Sequence, residues 1–295
     1  MVSGVEQVSG VTEAARVETG AWRYGHSSNL VGIPVGRLNS AAFNDAPEPL
    51  HIGGVREANR TLFTLLSLID DPTIAARAFE TYMTTLFGLT VRGSDADAPA
   101  RAEPSAGPQR RHYRADYLRL LRGWAYDSNG PEGAVLKGWV ESRFGLAPTF
   151  HKEPIRRFSS PQWMTYVEDK MSSRFHSNAI WSQLDLLYEF SQWTLGRRSD
   201  PVRRYCLLFR GVNDFDEHQI IERLDKRTVI VRLNNLVSFT ADRDVATWFG
   251  DIIMEARVPF EKILFFNTLL PHHPLKGEGE VLVIGGDYRV RATWY

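Results

Sequence analysis

The stretch "EVLVIGGDYRVRATWY", Glu280 to Tyr295, decides the fold class. In its second half Tyr288, Val290, Ala292 and Trp294 alternate with Arg289, Arg291 and Thr293, the period of two of a strand with one buried face. Its first half, "VLVIGG", invites a reading as the first turn of a dinucleotide-binding strand, turn and helix. That fingerprint needs a third glycine, a following helix and a second strand, and the nine residues after Gly286 alternate as a strand instead.

Upstream of it lie "RYCLLFRGV", "TVIVRL", "LVSFT", "IIMEARVPF" and "KILFF", all short, rich in β-branched residues and punctuated by turn residues. The character changes at "GRRSDPVRR", Gly196 to Arg204. Before it, "VREANRTLFTLLSLIDD", "TIAARAFETYMTTLFGL", "YRADYLRLLRGWAYD", "GAVLKGWVESRFG" and "NAIWSQLDLLYEFSQW" carry helical spacing, with Pro72 and Gly88 as stops. In the last of these, Ile180, Leu184, Leu187 and Tyr188 share one helical face. Strands gathered at the end of the chain disfavour a doubly wound parallel sheet and predict an α+β fold, a mainly helical part packed on a strand-rich core. The predicted organisation is a flexible tail over residues 1–20 and one domain over 21–295. That domain comprises a helical part, 21–200, with a flexible loop at 94–111, and a strand-rich part, 201–295.

Composition narrows the function classes. The chain has 295 residues, 43% of them hydrophobic, enough for a substantial core. Its 35 basic and 35 acidic side chains cancel, which removes a whole-chain electrostatic case for nucleic acid or anionic membrane. The single cysteine, Cys206, excludes an internal disulfide and a cysteine-built zinc site, and inside "YCLLF" it reads as a buried structural thiol. No window reaches the length of a membrane span and no signal-peptide core is present, so the reading is a soluble, cytoplasmic protein. No metal site is expected: His272 and His273 are adjacent between prolines and read as loop residues near a protein partner, and His26 is as well explained by structure as by ligand contact. Trp248 and Phe249 read as core.

Three features then stand out in order. Arg210 leaves an apolar strand beside Gly211, which frees the backbone, and a guanidinium there must reach solvent or an anion. Ser238, Phe239 and Thr240 end a strand before "ADRDVATWF". Thr240 can cap that helix, and the hydroxyls can equally face a cleft that takes a ribose or an amide. Glu278 and Glu280 flank Gly279 at the mouth of the last strand. In extended backbone they would stand side by side, as a polar turn feeding a buried strand or as a working acid pair.

Taken together, Arg210, Ser238-Phe239-Thr240 and Glu278-Gly279-Glu280 resemble the signature of the arginine-serine-glutamate class of mono-ADP-ribosyltransferases. The segments "HSSNLVGIPVG", "AFNDAPEPLHIGGVREANRTLF" and "KGEGEVLVIGG" resemble the dinitrogenase reductase ADP-ribosyltransferases, which switch off nitrogenase. The resemblance implies NAD as substrate and an arginine of the nitrogenase iron protein as acceptor. It also implies regulation by a PII-type signalling protein. Glu280 would stabilise the positive charge that develops on ribose as nicotinamide leaves, and Glu278 would prepare the acceptor guanidinium. Arg210 and Gly211 would lie at the diphosphate or ribose end of NAD, with Ser238, Phe239 and Thr240 building the NAD-binding core. An NAD glycohydrolase and a non-catalytic interaction module are the alternatives.

Overall fold

The computed structural model describes residues 29–89, 116–198, 204–215, 218–271 and 279–294. The expected tail and the loop at 94–111 lie outside these residues, as do His26, His272, His273 and Glu278. The helical part comprises α1 (Val35–Leu38), α2 (Ala41–Asp45), α3 (Val55–Ala58), α4 (Arg60–Ser67), α5 (Pro72–Phe87), α6 (Tyr117–Tyr126), α7 (Pro131–Phe144), α8 (Pro161–Ser172) and α9 (Asn178–Arg198). Between α7 and α8 a two-stranded ribbon pairs β1 (Phe150–His151) with β2 (Glu153–Pro154). Then follow β3 (Tyr205–Val212), β4 (Gln219–Arg223), β5 (Thr228–Thr240), α10 (Arg243–Ala246), β6 (Ile252–Pro259), β7 (Ile263–Phe266) and β8 (Glu280–Trp294). The α+β expectation holds.

All pairings in the main sheet are antiparallel, in the order β4-β5-β3-β6-β8-β7 with an added β5–β8 ladder. That ladder runs from Thr228↔Arg291 to Thr240↔Glu280 and joins two strands that sequence reading split into four. Each was split where its backbone is irregular. On β5 the register shifts between Leu233 and Leu236. There Asn235 Nδ2 donates to the carbonyls of Lys137 and Leu146 at 2.8 Å each, and Asn234 Nδ2 donates to the Phe150 carbonyl at 2.8 Å. On β8 the same level carries Gly285, where an added Cβ would lie 1.6 Å from the Asn234 carbonyl oxygen, so only glycine lets the two backbones approach. Next to it, the bidentate pair of Arg232 with Asp287, 2.7 and 2.9 Å, locks the register.

The alternation of β8 is as expected, with Tyr288, Val290 and Ala292 buried and Arg289 and Arg291 exposed. Helix α9 exceeds expectation: Ile180, Leu184, Leu187 and Tyr188 are buried, and so are Asp185, Glu189 and Ser191 on other faces. Its two buried carboxylates are both engaged. Glu189 accepts from Ile52 N and Arg56 Nε, and Asp185 takes Arg143 in a fork. Ser191 and Gln192 donate to carbonyls of Ile263 and Phe260, which covers the edge strand β7. One apolar cluster runs from α1 to β8 through both parts of the chain.

Other expectations change. The helix expected over "VREANRTLFTLLSLIDD" breaks at Asn59, whose side-chain amide bonds back to the Val55 carbonyl at 2.8 Å. Pro72 opens α5 as its first residue, with Asp71 as the cap, and Gly88 closes it in the left-handed region. Cys206 is only half-buried, because β3 leaves one side partly open. The burial it has pushes its thiol pKa up.

Candidate active site

The ends of β3, β5 and β8 meet at a cleft of about 490 Å³, within the range of sites that bury a small organic ligand. The Phe209↔Thr240 bridge joins β3 to β5, and Thr240↔Glu280 joins β5 to β8. Residues opposite each other in an antiparallel ladder share a face, so Thr240 and Glu280 do, and Ser238, two residues back, joins them. Ser238 Oγ donates a short hydrogen bond to Glu280 Oε1. Arg210 Nη1 donates to the Ser238 carbonyl at 3.0 Å, which draws the guanidinium to the same strand end. Arg210, Gly211, Ser238, Phe239, Thr240 and Glu280 all line the cleft.

Their contributions differ. Glu280 is buried, at 8% exposure, so its carboxylate is shielded on the wall while still bordering the cavity. Phe239 points its ring into the apolar core at 3% exposure, opposite to Ser238 in the alternation, so its share of the cleft is backbone. Gly211 does not end β3. An added Cβ there would sit 2.0 Å from the Ala246 carbonyl oxygen, so the glycine lets α10 lie against the strand that carries Arg210.

Thr240 is not the helix cap. Asp242 is, accepting from the amides of Asp244 and Val245, while Thr240 Oγ1 accepts from Asp242 N at 3.1 Å and shapes the turn before it. The helix is also shorter than expected. Only Arg243–Ala246 is α-helical, followed by a 3₁₀ turn over Thr247–Phe249. The change of pitch overturns the core reading of the two aromatics: Trp248 is 73% exposed and Phe249 51%, with Phe249 at the cleft. Gly279 enters β8 with φ of 59°, in the left-handed region, so extended alternation begins at Glu280.

The helical part supplies the opposite wall, which sequence reasoning missed. Trp124, Ala125, Tyr126, Asp127 and Ser128 line the cleft from the end of α6 and the turn after it. Asp116 caps α6 by accepting from Leu118 N, and Gln183 of α9 accepts from Tyr117 N, which fixes the helix against the core. The turn folds back on α7 at Gly133, where an added Cβ would meet the Ser128 carbonyl oxygen at 2.1 Å. Trp124 Nε1 then reaches Ser238 Oγ at 2.8 Å. A smaller cavity of about 120 Å³ adjoins, bordered by Trp124, Ser128, Arg210 and Ser238 and extending to Lys137 and His218.

An enclosed carboxylate bonded to a strand-end serine, with a guanidinium beside it, suits a ligand that carries both sugar hydroxyls and phosphate. Comparison with known proteins agrees with that chemistry. The family model for dinitrogenase reductase ADP-ribosyltransferase (DRAT) matches residues 28–292. The chain belongs to this family. It is also 59% identical over 270 residues to the NAD(+)--dinitrogen-reductase ADP-D-ribosyltransferase of Rhodospirillum rubrum, an alignment covering 92% of this chain and 96% of that protein. No solved structure matches. As a member of the dinitrogenase reductase ADP-ribosyltransferase family the chain has its cleft-lining acid, Glu280, on the final strand, facing the groups of β3 and β5. No helix among the described residues is long and apolar enough to cross a membrane.

Proposed function

We propose that this protein is an NAD-dependent mono-ADP-ribosyltransferase. It moves ADP-ribose from NAD to an arginine of dinitrogenase reductase, the nitrogenase iron protein, releases nicotinamide and thereby switches nitrogenase off. The observation that carries the reading is the bond of Ser238 to Glu280 on the wall of a cleft that also holds Arg210, in a chain 59% identical to a transferase of that name.

The donor set fits NAD. Cleaving the nicotinamide–ribose bond builds positive charge on the sugar, and a shielded carboxylate stabilises that charge more strongly than one in water. Glu280 is that carboxylate. Ser238 holds one of its oxygens, and Arg210 offers a fork to the diphosphate or the adjoining ribose. Gly211 and Thr240 keep α10 and its turn close to Arg210, and Phe239 anchors the strand in the core. Glu278 takes the second task, accepting a proton from the incoming guanidinium, which is protonated at ordinary pH and a poor nucleophile until then. The described chain acts as one catalytic domain in the cytoplasm, under control of a PII-type signalling protein.

The test is incubation of purified iron protein with this chain and labelled NAD, followed by mass spectrometry. ADP-ribose on an arginine of the iron protein is the expected result. Free ADP-ribose with no label on protein would assign a glycohydrolase, and no consumption of NAD at all would assign a non-catalytic module.

A further inference from the structure

Trp124 lies 114 residues before Ser238, on a helix outside the sheet. Local pattern explains it as core, and it is 4% exposed. It packs in the apolar cluster and also borders both the cleft and the smaller cavity beside it. What distinguishes it is the direction of its hydrogen bond. An indole N–H can only donate, so the 2.8 Å contact occupies a lone pair of Ser238 Oγ. The serine has one hydrogen, and its other recorded partner is Glu280 Oε1. The hydroxyl must therefore donate to the carboxylate. Trp124 sets the polarity of a two-bond relay that ends on Glu280.

We propose that Trp124 is a positioning residue for the reaction: it fixes the rotor of Ser238, which in turn fixes the orientation of the Glu280 carboxylate against the cleft. The inference rests on the reading of Glu280 as the group that faces the ribose. A glutamate side chain has three torsions, the last of them broad and roughly two-fold, so a buried wall alone does not define where its oxygens point. A serine hydroxyl is a rotor as well and can turn toward any acceptor in reach. The donor-only indole removes that choice. Because α6 is held by its Asp116 cap and by Gln183 of α9, the relay also ties the helical part of the chain to the carboxylate.

Trp124→Phe keeps an aromatic body and deletes the N–H. A hydrogen bond between neutral groups supports roughly a two- to tenfold effect, so kcat for NAD cleavage should fall by about that factor while KM for NAD changes less than about twofold. Ser238→Ala, which removes the bond to the charged carboxylate, should give at least as large a loss, roughly ten- to hundredfold. The double variant should be no worse than Ser238→Ala alone, because the indole then has no serine to orient. Unchanged kcat in Trp124→Phe, or losses that multiply in the double variant, would overturn the proposal.

Should Trp124→Phe fail to fold, indole ¹H–¹⁵N spectra of the protein with all eight tryptophans intact decide the matter. Polarisation along the chain of bonds should move one indole signal on Glu280→Gln, and the same signal on Ser238→Ala. A spectrum in which no single signal answers both substitutions would overturn the relay. This readout needs no turnover, so an absence of NAD cleavage would count against the functional reading while the indole signal still judged Trp124.

Discussion

Lys262 offers a quantitative test of how the N-terminal helices are fastened to the strand that carries Glu280. Its ammonium is fully enclosed. Nζ donates to the Leu38 carbonyl at the end of α1, 2.8 Å, and to the Gly285 carbonyl of β8, 2.9 Å, with the rings of Phe43 and Tyr288 above it at 5.4 and 5.9 Å from their centroids. Burial pulls its pKa from 10.5 down to about 7, against the opposing pull of Asp287, which is itself committed to Arg232. The unfolded chain keeps the ordinary value. Between about pH 7 and 10.5 the unfolded state therefore holds a proton that the folded state has shed, and stability rises with pH by up to roughly 1.4 kcal/mol per unit. The contribution is complete above the unfolded pKa and is lost as pH falls through the folded one.

Other groups bound the usable window. Burial raises the pKa of Cys206 above 9.0 and those of Tyr166, Tyr188 and Tyr288 well above 10.0. Their sign is opposite, since the unfolded chain loses those protons first and stability falls beyond those values. From about pH 7.5 to 9 the lysine dominates, at roughly 2 kcal/mol over the interval. The comparison is with Lys262→Met, which preserves length and lacks charge. Removing the two bonds to carbonyls lowers its stability by an amount that does not vary with pH, so the difference between the two profiles isolates the titration. Urea unfolding of both proteins at half-unit steps should show the gap widening with pH by about 2 kcal/mol. Parallel profiles would refute the reasoning, because a lysine that shed no proton on folding contributes no slope.

How much of this was legible in the sequence depends on the range of the interaction. The face of β8 was plain at Tyr288, Val290 and Ala292, because period-two burial is a local consequence of the pleat. The order of Arg210, Ser238 and Glu280 was legible as a pattern. That the three converge depends on ladder register, Thr240↔Glu280 and Phe209↔Thr240, which no local rule supplies. Helix α8 went unread although Ser160 and Pro161 announce it, with Ser160 accepting from Trp163 N. Strand β4, "QIIER", is largely exposed and lacks the apolar alternation that marks a strand. Trp124 was invisible for a different reason: helical spacing already accounted for it, and its partner is remote in sequence. Trp248 and Phe249 were misread because the helix tightens to a 3₁₀ turn just before them, so α-helical spacing no longer says which way they point.

The remaining expectations concern the cleft directly. Glu280→Gln keeps the size of the side chain and removes its charge, so NAD cleavage and transfer to protein should both fall by at least about a hundredfold in assays of labelled nicotinamide and labelled acceptor; normal transfer would refute the assignment. Glu278→Ala should lose transfer to the iron protein while retaining NAD cleavage, and equal loss of both in the same paired assay would return the proton-accepting task to another group. Gly211→Ala tests geometry without touching a charged group. A methyl 2.0 Å from the Ala246 carbonyl oxygen cannot be accommodated by rotating a side chain, since the backbone fixes the position of Cβ and the oxygen it meets is itself backbone, and Ala246 is fully buried. Strand β3 and α10 must therefore separate by an ångström or so, at a cost of about 1–3 kcal/mol of stability. Arg210, the neighbouring residue, moves with the strand, away from the Ser238 carbonyl that now holds it at 3.0 Å. Misplacement on that scale can cost about a hundredfold in rate. The variant should therefore show a higher KM for NAD and a lower kcat at temperatures where circular dichroism still reports a folded chain. A stable Gly211→Ala enzyme with unaltered kinetics would mean that the contact between β3 and α10 does not position Arg210.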